Sequence, residues 1–188
     1  MKKNVLILSL LMTTMVVSAQ SIFEKYEDMD NVTSVVVNQK MFKMLANIDI
    51  QTNDPDSDDF INQVKMLDNL TVFTTDNMGV SSSMKKDVEK YIKNSKLEEL
   101  MRIKDGDQTV NFFVLEGKDE NHVKELLMFV NGLGDLTKNE NISINGKQRV
   151  IETVLLSLTG DIDLREVSRL TNQLNVPGGE QLKKASKK

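Results

Sequence analysis

The chain has 188 residues, 39% of them hydrophobic and 28% charged, with a formal net charge of −4. That length supports one domain with a buried core, and two prolines and nine glycines exclude collagen-like and low-complexity chains. The absence of cysteine excludes disulfides, thiolate metal sites and a cysteine nucleophile, and a single histidine excludes a multi-histidine metal site within the chain.

Lys2 and Lys3 precede an apolar run from Val5 to Val17, and Val17-Ser18-Ala19 offers compact residues at the −3 and −1 positions of a cleavage site. This is the layout of a cleavable signal peptide over residues 1–19, with cleavage between Ala19 and Gln20. The run falls short of the roughly 20 residues that span a bilayer. No cysteine follows it to accept a lipid anchor, and no later stretch reaches membrane length. Cleavage removes two lysines and no acid, so the remaining 169 residues carry 22 basic and 28 acidic groups, a net charge of −6. An exported chain with that balance is a poor nucleic-acid binder. The expectation is a soluble exported protein, periplasmic or secreted, with no membrane span.

Ser21 to Glu24 reads as a capping box opening a short helix that carries Phe23 and Tyr26. The β-branched run Val32 to Val37 predicts a buried strand. Met41, Met44, Leu45 and Ile48 repeat at i, i+3, i+4, i+7 and predict an amphipathic helix. A polar, acidic loop from Gln51 to Asp59 follows, and Phe60, Val64 and Leu67 resume helical spacing. Leu70 to Thr75 predicts a strand, and Met84, Val88, Tyr91 and Ile92 a helix. Asp105-Gly106 between two β-type runs predicts a hairpin that sets Met101 opposite Val110. Val123, Leu126, Leu127 and Val130 carry helical spacing, and Gly132 to Asn141 reads as a connection. Asn145-Gly146 predicts a second hairpin ahead of the strand Val150 to Leu158. Asp163 and Glu166 then offer a capping pair for a helix with Val167, Leu170 and Leu174 on one side.

The predicted class is α+β, a sheet of five to six strands with helices packed on it. From Leu70 to Leu158 the succession is strand, helix, strand, strand, helix, strand, the order of a ferredoxin-like core. One domain covers residues 20–176, and a lysine-rich disordered tail covers 177–188.

Candidate chemistry is sparse. Asp54, Asp56 and Asp58 alternate in the acidic loop and are the candidate oxygen ligands for calcium. Counted from Asp54, the glycine and glutamate that an EF-hand needs at its sixth and twelfth positions are Asp59 and Lys65, so the motif fails twice, and a solvated loop in which Ser57 or Asp58 caps the next helix is the simpler reading. Gly160-Asp161-Ile162-Asp163 reads as a turn at Gly160 and a helix cap at Asp163. His122, expected to open a helix, lies beside Asp119 and Glu120, with no serine in a Gly-x-Ser-x-Gly elbow to serve; a hydrolase using Asp161, Asp163 and His122 is the enzyme alternative. Gly132-Leu133-Gly134 lacks the context of a dinucleotide loop. Lys85, Lys86, Lys90, Lys93 and Lys96 interleave with Asp87, Glu89, Glu98 and Glu99, which predicts a solvated, salt-bridged face. Met41, Met44, Met84 and Met101 fall on expected core faces. No cofactor is implied.

Phe23-x-x-Tyr26, Val32-Thr33-Ser34-Val35 and Met41-Phe42-x-Met44-Leu45 resemble the opening of domain-of-unknown-function family 4252, and Leu156-Ser157-Leu158-x-Gly160-Asp161-Ile162-Asp163-Leu164 is similar to its ending. The resemblance runs from about Ser21 to Val176. It implies an exported protein of Bacteroidetes-type envelopes with no established activity and no catalytic residues, often encoded beside extracytoplasmic-function sigma factors. Many relatives carry a lipid-modified cysteine after the signal, where this chain has Gln20. The functional expectation is a non-enzymatic binding or regulatory module with an envelope protein partner, the alternatives being a structural or accessory envelope protein, a hydrolase or a calcium binder.

Overall fold

A computed structural model describes residues 20–47, 61–138, 143–144, 147–148 and 150–165. Helix α1 (Gln20–Phe23) runs into a 3-10 turn (Glu24–Tyr26), then β1 (Thr33–Asn38) and α2 (Gln39–Ala46). Residues 61–65 are helical and lead into β2 (Leu67–Thr75), α3 (Met78–Asn94), β3 (Glu98–Asp105), β4 (Gln108–Glu116) and β5 (His122–Asn131). A short α4 (Gly134–Thr137), the small strands β6 (Ser143–Ile144) and β7 (Lys147–Gln148), and the long β8 (Thr153–Asp163) follow.

Six strands form one antiparallel sheet in the order β1-β2-β8-β5-β4-β3, so the α+β class holds, with six strands. The ferredoxin-like succession does not hold, because the fifth expected element is a strand: the segment read as a helix on Val123, Leu126, Leu127 and Val130 is β5. The cause is a bulge. The pairing of β5 with β8 shifts between Val123 and Glu125, which puts Val123 and Leu126 on the same face although they lie three residues apart. Leu127 packs on the opposite face, so a strand buried on both sides imitates helical spacing.

On one face, Phe23, Tyr26, Phe73, Met84, Val88, Tyr91, Phe113, Leu127, Phe129 and Leu155 pack beneath α1 and α3. Phe23 meets Tyr91 edge-on at 5.4 Å, and the Tyr26 hydroxyl bonds Asp87 of α3, which Lys25 also pairs at 2.5 Å. The start of α3 is fixed by Asn77, which caps Gly79 and Val80, and by Ser81, which bonds Thr153 at 2.6 Å and Asn131 at 3.0 Å. The second face packs Phe42, Ala46, Val64, Leu67, Phe112, Val114, Leu126 and Ile162.

Four expectations need correction in detail. The strand on Val32 to Val37 is an edge strand, and Val35 and Val36 are half-exposed (49% and 48%) instead of buried. In α2 the inward residues are Phe42 and Ala46, one turn apart, while Met41, Met44 and Leu45 face outward. The first hairpin closes on Gly106-Asp107, because Asp105 pairs Gln108; Met101 therefore faces Phe112, a slip of two residues that keeps it on the same face. The second hairpin is present but pairs Ser143–Ile144 with Lys147–Gln148, while the later run joins the main sheet as β8. Ile48, the acidic loop and the residues after 165 lie outside the described residues.

Gly160 is not a turn. It lies inside β8 at φ 140°, opposite Leu67, where a Cβ would collide with the Met66 carbonyl and the Leu67 backbone. Gly160→Ala is expected to cost about 1–3 kcal/mol, read as a lower melting temperature. Gly106→Asn, at φ 57° with open space around it, is expected to melt close to the wild type.

Candidate functional site

The Gly160–Asp163 motif and His122, far apart in sequence, meet at one end of the sheet. His122 opens β5 rather than a helix and is the register partner of Asp163 at the end of β8. β2 begins at Leu67, opposite Gly160, and past that point the buried amide of Gln63 takes its place along β8: its Nε2 donates to the Asp161 carbonyl at 2.9 Å and its Oε1 accepts from the Asp163 N–H at 3.2 Å. The Asp161 N–H bonds the Met66 carbonyl, and the Leu164 N–H bonds that of Asn121.

Each titratable side chain here is already engaged. Nδ1 of His122 lies 2.7 Å from Asp119 Oδ1, which holds the Asp119 carboxyl below its ordinary value. Nε2 of His122 stands 3.9 Å from Asp163. Arg165 grips both carboxylate oxygens of Asp163 and holds its pKa down, and the Arg165 N–H donates to Asp163 Oδ1 at 2.9 Å. Asp163 is therefore the cap that the sequence predicts, over residues 164–165. Asp161 is paired with Lys118 at 2.6 Å. A depression of about 480 Å³, lined partly by Glu98, Glu116, Asp119, Glu120, His122 and Leu164, lies alongside.

The structure thus brings Asp161, Asp163 and His122 to one end of the sheet, where the Lys118–Asp161 ion pair and the β5–β8 pairing tie the 118–122 segment to the end of β8. Among the described residues the ring nitrogens of His122 face carboxylates, Asp119 at 2.7 Å and Asp163 at 3.9 Å, and no hydroxyl is bonded to either. Among those residues no group of three or more His, Asp and Glu side chains is placed to share a metal ion. Asp54, Asp56 and Asp58 lie outside the described residues.

Sequence reasoning missed Glu125. The β5 bulge turns it into the core beneath α3, where Tyr91 donates a 2.8 Å hydrogen bond to Oε2 while Oε1 has no partner among the described residues. Desolvation raises its pKa above the ordinary carboxylate range, partly offset by Tyr91 and Ser157. The same contact and burial push the Tyr91 phenol upward. The only signal in the sequence is a carboxylate within an apolar run.

Two surfaces also differ from expectation. Met41 and Met44 are exposed instead of buried, beside the half-exposed Val35 and Val36 of β1. The α3 lysines form no salt-bridged face: among the described residues Asp87 pairs with Lys25 and Glu99 with Arg102.

A raised carboxyl favours the folded state most fully below its unfolded pKa, and that contribution is lost as pH rises through the folded value. Glu125→Gln is therefore expected to raise the melting temperature at neutral pH and to flatten the decline above the ordinary carboxylate range. An unchanged pH profile in thermal melts would show that Glu125 does not carry that decline.

The profile of the family described as a domain of unknown function (DUF4252) matches residues 26–170, and the chain belongs to that family. No curated protein and no solved structure matches it.

Proposed function

We propose that this DUF4252 protein is an exported, non-enzymatic binding module of the cell envelope that docks a protein partner along the margin formed by β1 and α2. The observation that carries this reading is the contrast between the two edges of the sheet. The β3 edge is guarded by Glu98, Glu99, Arg102, Lys104 and Asp105, with a register shift between Glu99 and Met101. Such charges and bulges keep an edge from recruiting another strand. The β1 edge, Thr33–Asn38, carries no charge and pairs only with β2 among the described residues. It runs directly into α2, whose Met41, Met44 and Leu45 are exposed.

An unguarded, β-branched edge beside flexible methionines suits a partner that adds an extended segment to the sheet. Export is supported by Lys2 and Lys3, the apolar run after them and the Ala19–Gln20 junction. The family resemblance extends the reading to regulation alongside extracytoplasmic-function sigma factors. The non-enzymatic part is supported by the engagement of Asp161 by Lys118, of Asp163 by Arg165 and of His122 by Asp119.

Cross-linking of the tagged protein in its native cells is expected to capture one stoichiometric envelope protein. Val36→Lys, at a half-exposed site, is expected to abolish that capture while leaving the melting temperature within a few degrees. Capture unaffected by Val36→Lys would remove β1 from the interface. A cellular phenotype lost on combined substitution of Asp161, Asp163 and His122, in a variant that still folds, would favour the hydrolase alternative.

A further inference from the structure

The α3 face and the β3–β4 half of the sheet enclose a groove of about 530 Å³, at the far end of the strand order from β1. Its floor is apolar: Ile92 of α3 is partly exposed there, beside the edges of Val88 of α3, Phe113 of β4 and Phe129 of β5, which otherwise pack in the core. Its rim is basic: Lys85 and Lys93 stand two turns apart on α3, and Arg102 and Lys104 face them from β3. Glu89 and Glu99 also line it, and Glu99 is bound to Arg102 at 2.6 Å. Four cations against two acids make this groove net positive on a chain whose formal charge is −4. Lys85, Lys93 and Lys104 have no ion-pair partner among the described residues, although Glu89 follows Lys85 and precedes Lys93 by four residues.

One end of the groove also holds uncommitted hydrogen-bond donors. Thr109 is the register partner of both Lys104 and Asn131, so these three side chains adjoin. Asn131 spends its carbonyl oxygen on Ser81 and Thr153, which leaves its amide N–H groups without a partner among the described residues. The Ser81 bond also places the start of α3, and with it Lys85, at this end. Ile92 and Lys93, two turns further along α3, lie toward Phe113 and the start of β3.

We infer that this groove binds a single-chain amphiphilic anion, with the acidic head held by Lys85, Lys104, Thr109 and Asn131 and the alkyl chain lying along Phe129, Val88, Phe113 and Ile92. The volume is within the usual range for small-molecule sites, about 300–1,000 Å³. A head group that is charged but alkyl-tailed satisfies both halves of the lining at once. An inorganic anion makes no use of the apolar floor, and a neutral alcohol leaves the lysines unpaired.

The test is calorimetric titration of the purified full chain with sodium dodecanoate below its micelle concentration. Saturable one-to-one binding is expected, weakened by added salt and by about tenfold in a Lys85→Glu/Lys104→Glu variant. Both lysines are exposed, so the variant is expected to keep the wild-type melting temperature. Ile92→Asp, at the tail end, is expected to weaken dodecanoate binding without creating binding of acetate. Dodecyl phosphate serves as the second probe: tighter binding of dodecanoate assigns the site to free fatty acids, and tighter binding of the phosphate assigns it to phospholipid-derived heads. The proposal is overturned by no saturable binding of either anion, by equal affinity for 1-dodecanol, by unchanged affinity in the lysine variant, or by retention on anionic vesicles without binding of the monomeric amphiphile.

Discussion

Gly160 holds a backbone conformation that a side chain would strain, and the strands on both sides of β8 break register at its level: β2 between Leu67 and Asn69, β5 between Val123 and Glu125. Much of the functional geometry follows from that shared irregularity. Beyond the start of β2, Gln63 supplies the missing donor and acceptor along β8, which fixes Asp161 and Asp163. Where β5 bulges, Val123 joins Leu126 on one face, Glu125 turns beneath α3, and His122 comes opposite Asp163. A regular ladder would have alternated these residues differently, because strand faces have a strict period of two. The bulge therefore decides which carboxylate is buried and which is ion-paired.

The parts of the fold that were legible in the sequence are those set by local rules. The stripe Met84, Val88, Tyr91 and Ile92 identified α3, and all but Ile92 are buried. Asp105-Gly106 marked the first hairpin because Gly106 adopts positive φ there, and the Asn145-Gly146 signal marked the small β6–β7 pair. The failures share a different cause. Val32 to Val37 has the composition of a buried strand, and only the strand order shows that β1 lies at an edge. Met41, Met44 and Leu45 form a valid stripe, yet the adjacent Phe42 and Ala46 pack on the sheet. Burial on two faces plus one inserted residue made β5 look helical. For the candidate site, residue types at Asp161, Asp163 and His122 were visible, but their meeting depends on the pairing of β5 with β8 across more than 30 residues.

The molecule is asymmetric across its sheet. At the β1 end the strand edge itself carries no charge, whereas β3 carries charges that guard its backbone. Those charges do more than guard. Arg102 and Lys104 point with Thr109 and Asn111 into the same groove as Lys85 and Lys93, so the edge protection and the local positive field come from the same side chains. Dispersed acidic groups elsewhere produce the negative total. Long-range attraction and local recognition can thus differ in sign on one small domain, and salt separates them because exposed charges are screened beyond about 10 Å at 0.1 M ionic strength.

The ionisable groups near the β5 bulge also pull against each other. Asp119 and Asp163 are held below their ordinary values, so their contribution is present above the unfolded carboxylate pKa and fades as pH falls. Glu125 is held above its ordinary value, and its contribution is present in acid and fades as pH rises. Acidification therefore loosens the contacts that Asp119 makes with His122 and Asp163 with Arg165 while relieving the buried charge beneath Tyr91. The core carboxyl is the more isolated of the two, having one oxygen without a partner among the described residues in a position water reaches poorly. Protonating it removes a desolvated charge, whereas protonating Asp119 releases a group already half in solvent. Equal pKa shifts at Asp119 and Glu125 would not carry equal weight, because screening discounts the exposed carboxylate and not the buried one.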